Sequence, residues 1–240
     1  MAALTISQLN KIGERLRKNQ ETNEDLCALD DFRLSFESAY QTVFDHLTQL
    51  GLKPGGRAGK TTLSIRAKLI RERTRLSRMQ DIGGCRVIAD GVVEQDTLTE
   101  TLKGAYPQHE VFDRRTKPSH GYRAMHLVVY ISGVPIEIQI RTGLQHAWAE
   151  LSEKLSDTDP TVKYGGGSEK IREILDKLSD QIKKEEALEQ ALRQVREVDT
   201  DGSQEKTLEE IEGRLRSLKF DLHELCRDSI IKLNAPEGEL

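Results

Sequence analysis

The stretch that most constrains this chain is GYRAMHLVVYISGVPIEIQIRT, residues 121–142. Two apolar ribbons meet at Ser132-Gly133. A two-residue loop of this kind predicts a tight hairpin, because glycine tolerates positive φ. With Ile131 opposite Val134, Val128 falls opposite Glu137, His126 opposite Gln139, and Ala124 opposite Arg141. Alternation then sorts the side chains onto two faces. Arg123, Met125, Leu127, Val129, Ile136, Ile138 and Ile140 make one that is almost wholly apolar and must face a core. Tyr122, Ala124, His126, Val128, Glu137, Gln139 and Arg141 make the other. A solvated strand face is usually Lys, Thr and Glu. This one offers an aromatic plane, hydrogen-bonding groups, an acid able to hold a metal and a base able to hold an anion, which is the make-up of a binding floor.

The flanking sequence is mostly helical in period. Ile6, Leu9, Ile12 and Leu16 predict a helix over 5–20; Leu29, Phe32, Phe36, Tyr40, Val43, Leu47 and Leu50 predict another over 29–50, closing at Gly51. Thr62 is placed to cap a third. GCRVIAD (84–90) reads as a buried strand, 93–104 as a helix and EVFDRR (110–115) as a strand. Thr142-Gly143-Leu144-Gln145 fits a capping box where the period changes from 2 to 3.6. Two strongly charged helices follow Gly167, over 168–197 and 205–233. The expected fold class is α+β: a small mixed, mainly antiparallel central sheet flanked by helices, with a C-terminal helical extension. The expected division is an N-terminal helix (1–28), a nucleotide-handling domain (29–167) and a helical extension (168–240). The narrow stripe Ile171, Ile174, Leu175, Leu178 and Ile182 suits either a hairpin closing on its own domain or packing between subunits. We expect a homo-oligomer.

Composition excludes several classes. Apolar residues are 36 % and charged residues 32 %, so much of the charge must sit on long solvated helices. A net charge of −4 gives no general attraction to nucleic acid. Cys27, Cys85 and Cys226 are odd in number and far apart, which fits neither a disulfide framework nor a zinc site. The first residues turn polar by position 10, and no apolar run is long enough to cross a membrane. A reducing cytoplasm is expected.

Further pieces fit phosphate chemistry. Asp81, in DIGG, sits at a strand entrance, and with Glu137 it forms a pair of carboxylates able to hold Mg²⁺ with several waters. The segment GGRAGKTTLSIRAKLIRER is glycine-broken and basic, and helical spacing puts Lys68 one turn past Ser64. It is not a P-loop, because no glycine stands at the required place before Gly59-Lys60-Thr61. A third basic run, RRTKPSHGYR (114–123), precedes the tyrosine.

DIGGCRVI, KPSHGYRAMHLVV and EIQIRTGLQHAWAEL, in this order, resemble the synthetase domain of RelA/SpoT-type proteins over about residues 30–165. The shortness of the chain makes it similar to a small alarmone synthetase. The resemblance implies transfer of the β,γ-pyrophosphate of ATP to the ribose 3′-OH of GDP or GTP, giving (p)ppGpp and AMP. It makes Asp81 and Glu137 the Mg²⁺ ligands, with Glu137 placed to activate the 3′-OH. It puts Arg86 on the adenine with Arg57 on its other face. Lys60, Ser64 and Lys68 become phosphate-holding residues. Tyr122 becomes the platform for the acceptor guanine, with Lys117, His126 and Gln139 on the acceptor side. His120 and Ala124 depart from the family's usual Asn and Ser, which leaves a tRNA 3′ end or an adenine nucleotide open as acceptor. No His-Asp dipeptide occurs, so the hydrolase half of the long relatives is not expected.

Overall fold

The computed structural model describes residues 4–199 and 204–234. Among them are eight α-helices and a five-stranded sheet. The order begins with α1 (Ile6–Lys18), α2 (Asn23–Leu34), α3 (Glu37–Gln49), β1 (Gly55–Arg57) and α4 (Thr62–Glu72). It continues with β2 (Gly83–Ala89), α5 (Val92–Ala105), β3 (His109–Asp113), β4 (Met125–Ile131) and β5 (Val134–Thr142). It ends with α6 (Gly143–Thr158), α7 (Glu169–Val198) and α8 (Glu205–Asn234). The strands are ordered β1-β2-β5-β4-β3 in a mixed sheet, so the fold class is the expected α+β.

The hairpin forms as its residues require. Ser132 (φ 50°) and Gly133 (φ 83°) both take left-handed conformations, the pair of a two-residue turn that matches strand twist. Ile136, Ile138 and Ile140 are completely buried, as are Leu127 and Val129. Each such side chain contributes about 1.5–3 kcal/mol by leaving water. A one-residue slip would forfeit all of them together, which fixes the register.

Local readings needed correction in four places. The apolar run over 29–50 is two helices, α2 and α3, with a break at Ser35-Phe36. The cap of α4 is Thr61, not Thr62: its hydroxyl accepts from the Ser64 N–H. Strand β2 alternates rather than being buried throughout, and Ile88 is exposed. The glycine-broken segment contains a short strand, β1, paired antiparallel with β2 so that Gly55 faces Arg86, Gly56 faces Cys85 and Arg57 faces Gly84. Glycine is required there, since a Cβ on Gly56 would lie 2.4 Å from the Gly84 carbonyl oxygen.

The chain divides into two compact units. The first comprises Met1–Val87, Ala105–Val111 and His126–Gln139. Its core joins Leu9, Ile12 and Leu16 of α1 with Leu29, Val43, Leu47, Ile65 and Leu69 of the next helices and the apolar strand residues. Gly13 lets α1 approach closely, because a Cβ there would meet that of Leu76 at 2.9 Å. The second unit comprises Ile88–Gly104, Phe112–Met125 and Ile140–Leu240. Its core gathers Leu144, Trp148, Leu151 and Leu155 of α6 with Leu175, Leu178 and Ile182 of α7 and Leu222 of α8. The capping box at Thr142 starts α6 as expected. Leu175, Leu178 and Ile182 of the α7 stripe are thus covered within the chain and Ile171 packs against them, in keeping with the hairpin reading, while Ile174 stays exposed. Cys27 and Cys85 are free thiols, and burial pushes that of Cys85 up to about 12; the Cys226 side chain lies outside the described residues. No helix among the described residues is long and apolar enough to cross a membrane.

Candidate active site

The candidate residues fall into a group in each unit. In the first, the segment between Leu76–Arg78 and β2 delivers Asp81, and α4 delivers the cations that meet it. Lys60, just before the helix, places Nζ 2.6 Å from Asp81 Oδ2, and Lys68 places its own 2.9 Å from the same oxygen. Lys68 reaches it because it stands one turn past Ser64 in α4. Ser64 lies in the first turn, where its hydroxyl accepts a 2.9 Å bond from Thr61 Oγ1. The other oxygen of Asp81, Oδ1, is buried and takes no hydrogen bond from the described residues. Burial pushes the Asp81 carboxyl up, but Lys68 and Lys60 outweigh it and hold the group below the usual carboxylate range. Burial likewise pulls the Lys60 ammonium below its ordinary value, and Asp81 restores only part of the loss.

Glu137, on the half-buried face of β5, is held at both oxygens. Its Oε1 lies 2.8 Å from His126 Nδ1, and its Oε2 accepts from Gln139 Nε2 at 2.8 Å. An ionised carboxylate only accepts, so the imidazole proton is on Nδ1. Burial raises the Glu137 carboxyl, and the charge of Asp81 raises it further. The bond and electrostatic pull of His126 and the bond from Gln139 prevail, and the group lies below its ordinary value. Beside it Gly84 lets β2 pack closely on β5, since a Cβ there would come within 3.0 Å of the Glu137 carbonyl oxygen. The pairing of β1 with β2 puts Arg57 and Arg86 on one sheet face as diagonal neighbours, Arg57 exposed and Arg86 half-buried.

In the second unit, Lys117 is exposed in the turn after β3, its N–H bonded to the Asp113 carbonyl at 3.3 Å. Tyr122 is half-buried, with Trp148 at a ring-centroid distance of 6.3 Å. Arg141, read from the sequence as an open anion-binding base, is only 4 % exposed. Its Nε donates to Tyr122 Oη at 3.1 Å and its guanidinium carbon stands 5.1 Å from the ring centroid. It braces the tyrosine.

The structure brings Lys60 and Lys68 to Asp81, and it brings His126 and Gln139, which the sequence put on the acceptor side, to Glu137. Sequence reading missed these last contacts. It also missed the partners of Arg123, although an arginine on a core-facing strand face is a signal that a buried acid must exist. That acid is Glu186 of α7.

Residues 56–156 match a family described as the region found in RelA / SpoT proteins. Over 95 residues the chain is 38 % identical to an uncharacterized protein of Mycobacterium tuberculosis, covering 38 % of this chain and 33 % of that protein. The chain therefore spans about a third of the length of this curated relative. It superposes on the small alarmone synthetase 1 of Bacillus subtilis bound to its product pppGpp with a TM-score of 0.56 and 25 % identity, over 68 % of this chain and 95 % of that one. The small alarmone synthetase 2 of Bacillus subtilis shares the fold at 22 % identity and a TM-score of 0.54, over 69 % of this chain and 97 % of that one.

Proposed function

We propose that the chain is a pyrophosphokinase that makes (p)ppGpp from ATP and GDP or GTP: residues 56–156 match the region found in RelA/SpoT proteins, and the chain superposes on a small alarmone synthetase. The observation that carries this reading is the Asp81 centre: one carboxylate oxygen between two lysines, the other buried without a bond. An apolar replacement would be at least as stable in a site of structural purpose only. A triphosphate has the charge to draw Lys60 and Lys68 to itself, and the first turn of α4 adds backbone N–H groups beside Ser64.

Mg²⁺ suits this donor set. It takes one or two carboxylates and completes its shell with water and substrate phosphates. Asp81 Oδ1 has a free lone pair for it, and Glu137 is the second acid. When bound, the ion neutralises phosphate charge. The rest falls to the chain. Lys60 and Lys68 hold the phosphates, Arg86 and Arg57 present guanidinium planes to the adenine, and Tyr122 stacks on the acceptor base. Glu137, kept ionised and oriented by His126 and Gln139, takes the 3′-hydroxyl proton. The 3′-oxygen bonds to the β-phosphorus as the bond from that phosphorus to the α–β bridging oxygen breaks, releasing AMP.

A tRNA acceptor would need a field of cations free to meet backbone phosphates. Instead Arg66 pairs with Glu21, Arg71 with Glu72, Arg115 with Asp96 and Asp113, and Arg123 with Glu186. The exposed Ile174, Phe220 and Leu225 support assembly into a homo-oligomer, which light scattering would read directly. The deciding experiment incubates the protein with MgCl₂, ATP labelled on its γ-phosphate and, separately, GDP, GTP, ATP or tRNA. AMP release with label in a guanosine tetra- or pentaphosphate is expected. Label on tRNA or on an adenine nucleotide would replace the acceptor, and no AMP with any acceptor would end the reading.

A further inference from the structure

The segment around Tyr122 is held by residues of β5, α6, the turn before α7 and α7 itself. Ser119 and Tyr122 exchange backbone hydrogen bonds of 3.2 and 3.0 Å. His120 (φ 52°) and Gly121 (φ 83°) turn the chain between them in left-handed conformations. For histidine this conformation costs roughly 1 kcal/mol, so something must hold it. Three contacts do. A Cβ on Gly121 would lie 2.9 Å from Cζ2 of Trp148 and 3.5 Å from the Ser179 Cβ, so the turn rests on α6 and α7. Trp148 is fixed in turn by its Nε1, which donates to the Leu175 carbonyl of α7 at 2.9 Å. A Cβ on Gly165 would lie 2.4 Å from His120 Nδ1, so the turn before α7 closes the other side.

The residue after Tyr122 is anchored still more firmly. Arg123 Nε lies 3.0 Å from Oε1 and 3.2 Å from Oε2 of Glu186, and Nη2 also donates to Oε2. Both side chains are almost wholly shielded from water. Glu186 Oε1 also accepts from Gln145 Nε2 at 2.8 Å, and Gln145 Oε1 accepts from Gln95 Nε2 at 2.9 Å. Every member of this buried network has a partner, which is the condition under which such a network enforces one geometry. Tyr122 is thereby flanked in sequence on both sides by residues fixed to α7.

We propose that α7 is a positioning element of the acceptor half-site: Glu186, through Arg123, and Ser179 with Trp148, through Gly121, set the pose in which Tyr122 meets the acceptor nucleotide. This rests on the reading of Tyr122 as the acceptor platform. None of these residues touches the reacting atoms, and all act through the tyrosine.

The test compares Glu186→Gln, the apolar pair Arg123→Met with Glu186→Met, and Tyr122→Ala in the full chain. Removing the charge of Glu186 alone leaves Arg123 buried without its counter-ion. The apolar pair avoids that and should keep the fold. Apparent KM for GDP and for ATP are measured apart, with thermal melting alongside. Trp148 is the chain's one tryptophan, so its emission reports the packing of the turn directly. Expected are a KM for GDP raised about tenfold or more in either Glu186 variant, a KM for ATP within about twofold, and a shifted Trp148 emission. Either variant still folded with the wild-type KM for GDP overturns the proposal. So do constants for ATP and GDP that rise together, or both variants unfolded at the assay temperature. If Tyr122→Ala leaves the KM for GDP unchanged while Trp148 emission still responds to Glu186→Gln, the acceptor reading of Tyr122 falls and the bracing stands. If Tyr122→Ala raises it and neither Glu186 variant does, only the bracing falls.

Discussion

Two ion pairs in this protein have the same chemistry and opposite surroundings. Asp81 meets Lys60 and Lys68 at side-chain exposures of 14–19 %, with one carboxylate oxygen shared by both cations and the other unused. Arg123 meets Glu186 at 5 and 7 %, through three N–H contacts, with Gln145 taking a further lone pair. The first keeps some exposure to solvent, and in the proposed function a polyanion draws its lysines away. The second is closed and saturated, and removing either partner strands a charge in the interior. Burial alone does not separate chemistry from structure.

The sharpest break of that contrast is at Glu137, which belongs with Asp81. Glu137→Gln keeps the bond from one neighbour and removes the proton acceptor. Turnover should fall by about two orders of magnitude or more while the melting temperature stays within a few degrees. Near-normal AMP release by that variant would put the carboxylate on the structural side of the divide.

Glu185 of α7 tests the closed side. It is 2 % exposed, 3.2 Å from Lys219, and burial, then Glu189, push its carboxyl up to about 7 despite that lysine; Glu186 adds to the rise. Between the ordinary value of 4.5 and 7 the folded chain keeps a proton that the unfolded chain has lost, so this group's effect is to reduce stability as pH rises across that window. Glu185→Gln should therefore stabilise by about 1–3 kcal/mol at pH 8 and change little at pH 4. Lys219 retains Glu189 in the variant. Denaturant melts at the two pH values measure this, and a loss of stability at pH 8 would show that the Lys219 pair outweighs the burial.

Tyr122→Ala should raise the apparent KM for GDP or GTP about tenfold and leave that for ATP nearly unchanged, since a stacking platform contributes about 1–3 kcal/mol to one base. A fall in ATP affinity instead would exchange the two nucleotide sites. The smallest effect belongs to charges that fit neither class. Arg73, Arg75 and Arg78 are exposed, and reversing all three should leave synthesis within about threefold of wild type in a titration of activity against salt.

The hairpin was legible because two constraints coincided: a Ser-Gly loop that admits left-handed φ, and isoleucines that permit one register. The α2–α3 break was not. Ser35 and Phe36 both keep near-helical angles, so the i, i+4 rhythm of Phe32, Phe36 and Tyr40 runs through it undisturbed. Strand β1 was hidden because it is only three residues long and backbone crowding at Gly56 excludes a side chain by which strands are recognised. At the site, Asp81, Glu137 and the lysines announce themselves by charge near glycine and by helical spacing. Glu186 does not, since one more glutamate on a charged helix carries no mark of the arginine 63 residues earlier that it meets.

That separation also orders events during synthesis. The lysine–aspartate centre and Glu137 are complete once residue 139 has left the ribosome. The turn bearing Tyr122 gains its last anchor only when α7 emerges through Glu186, and contacts so distant along the chain form late. On the proposed function, a nascent chain would thus meet a nucleoside triphosphate before it could present the second substrate in register.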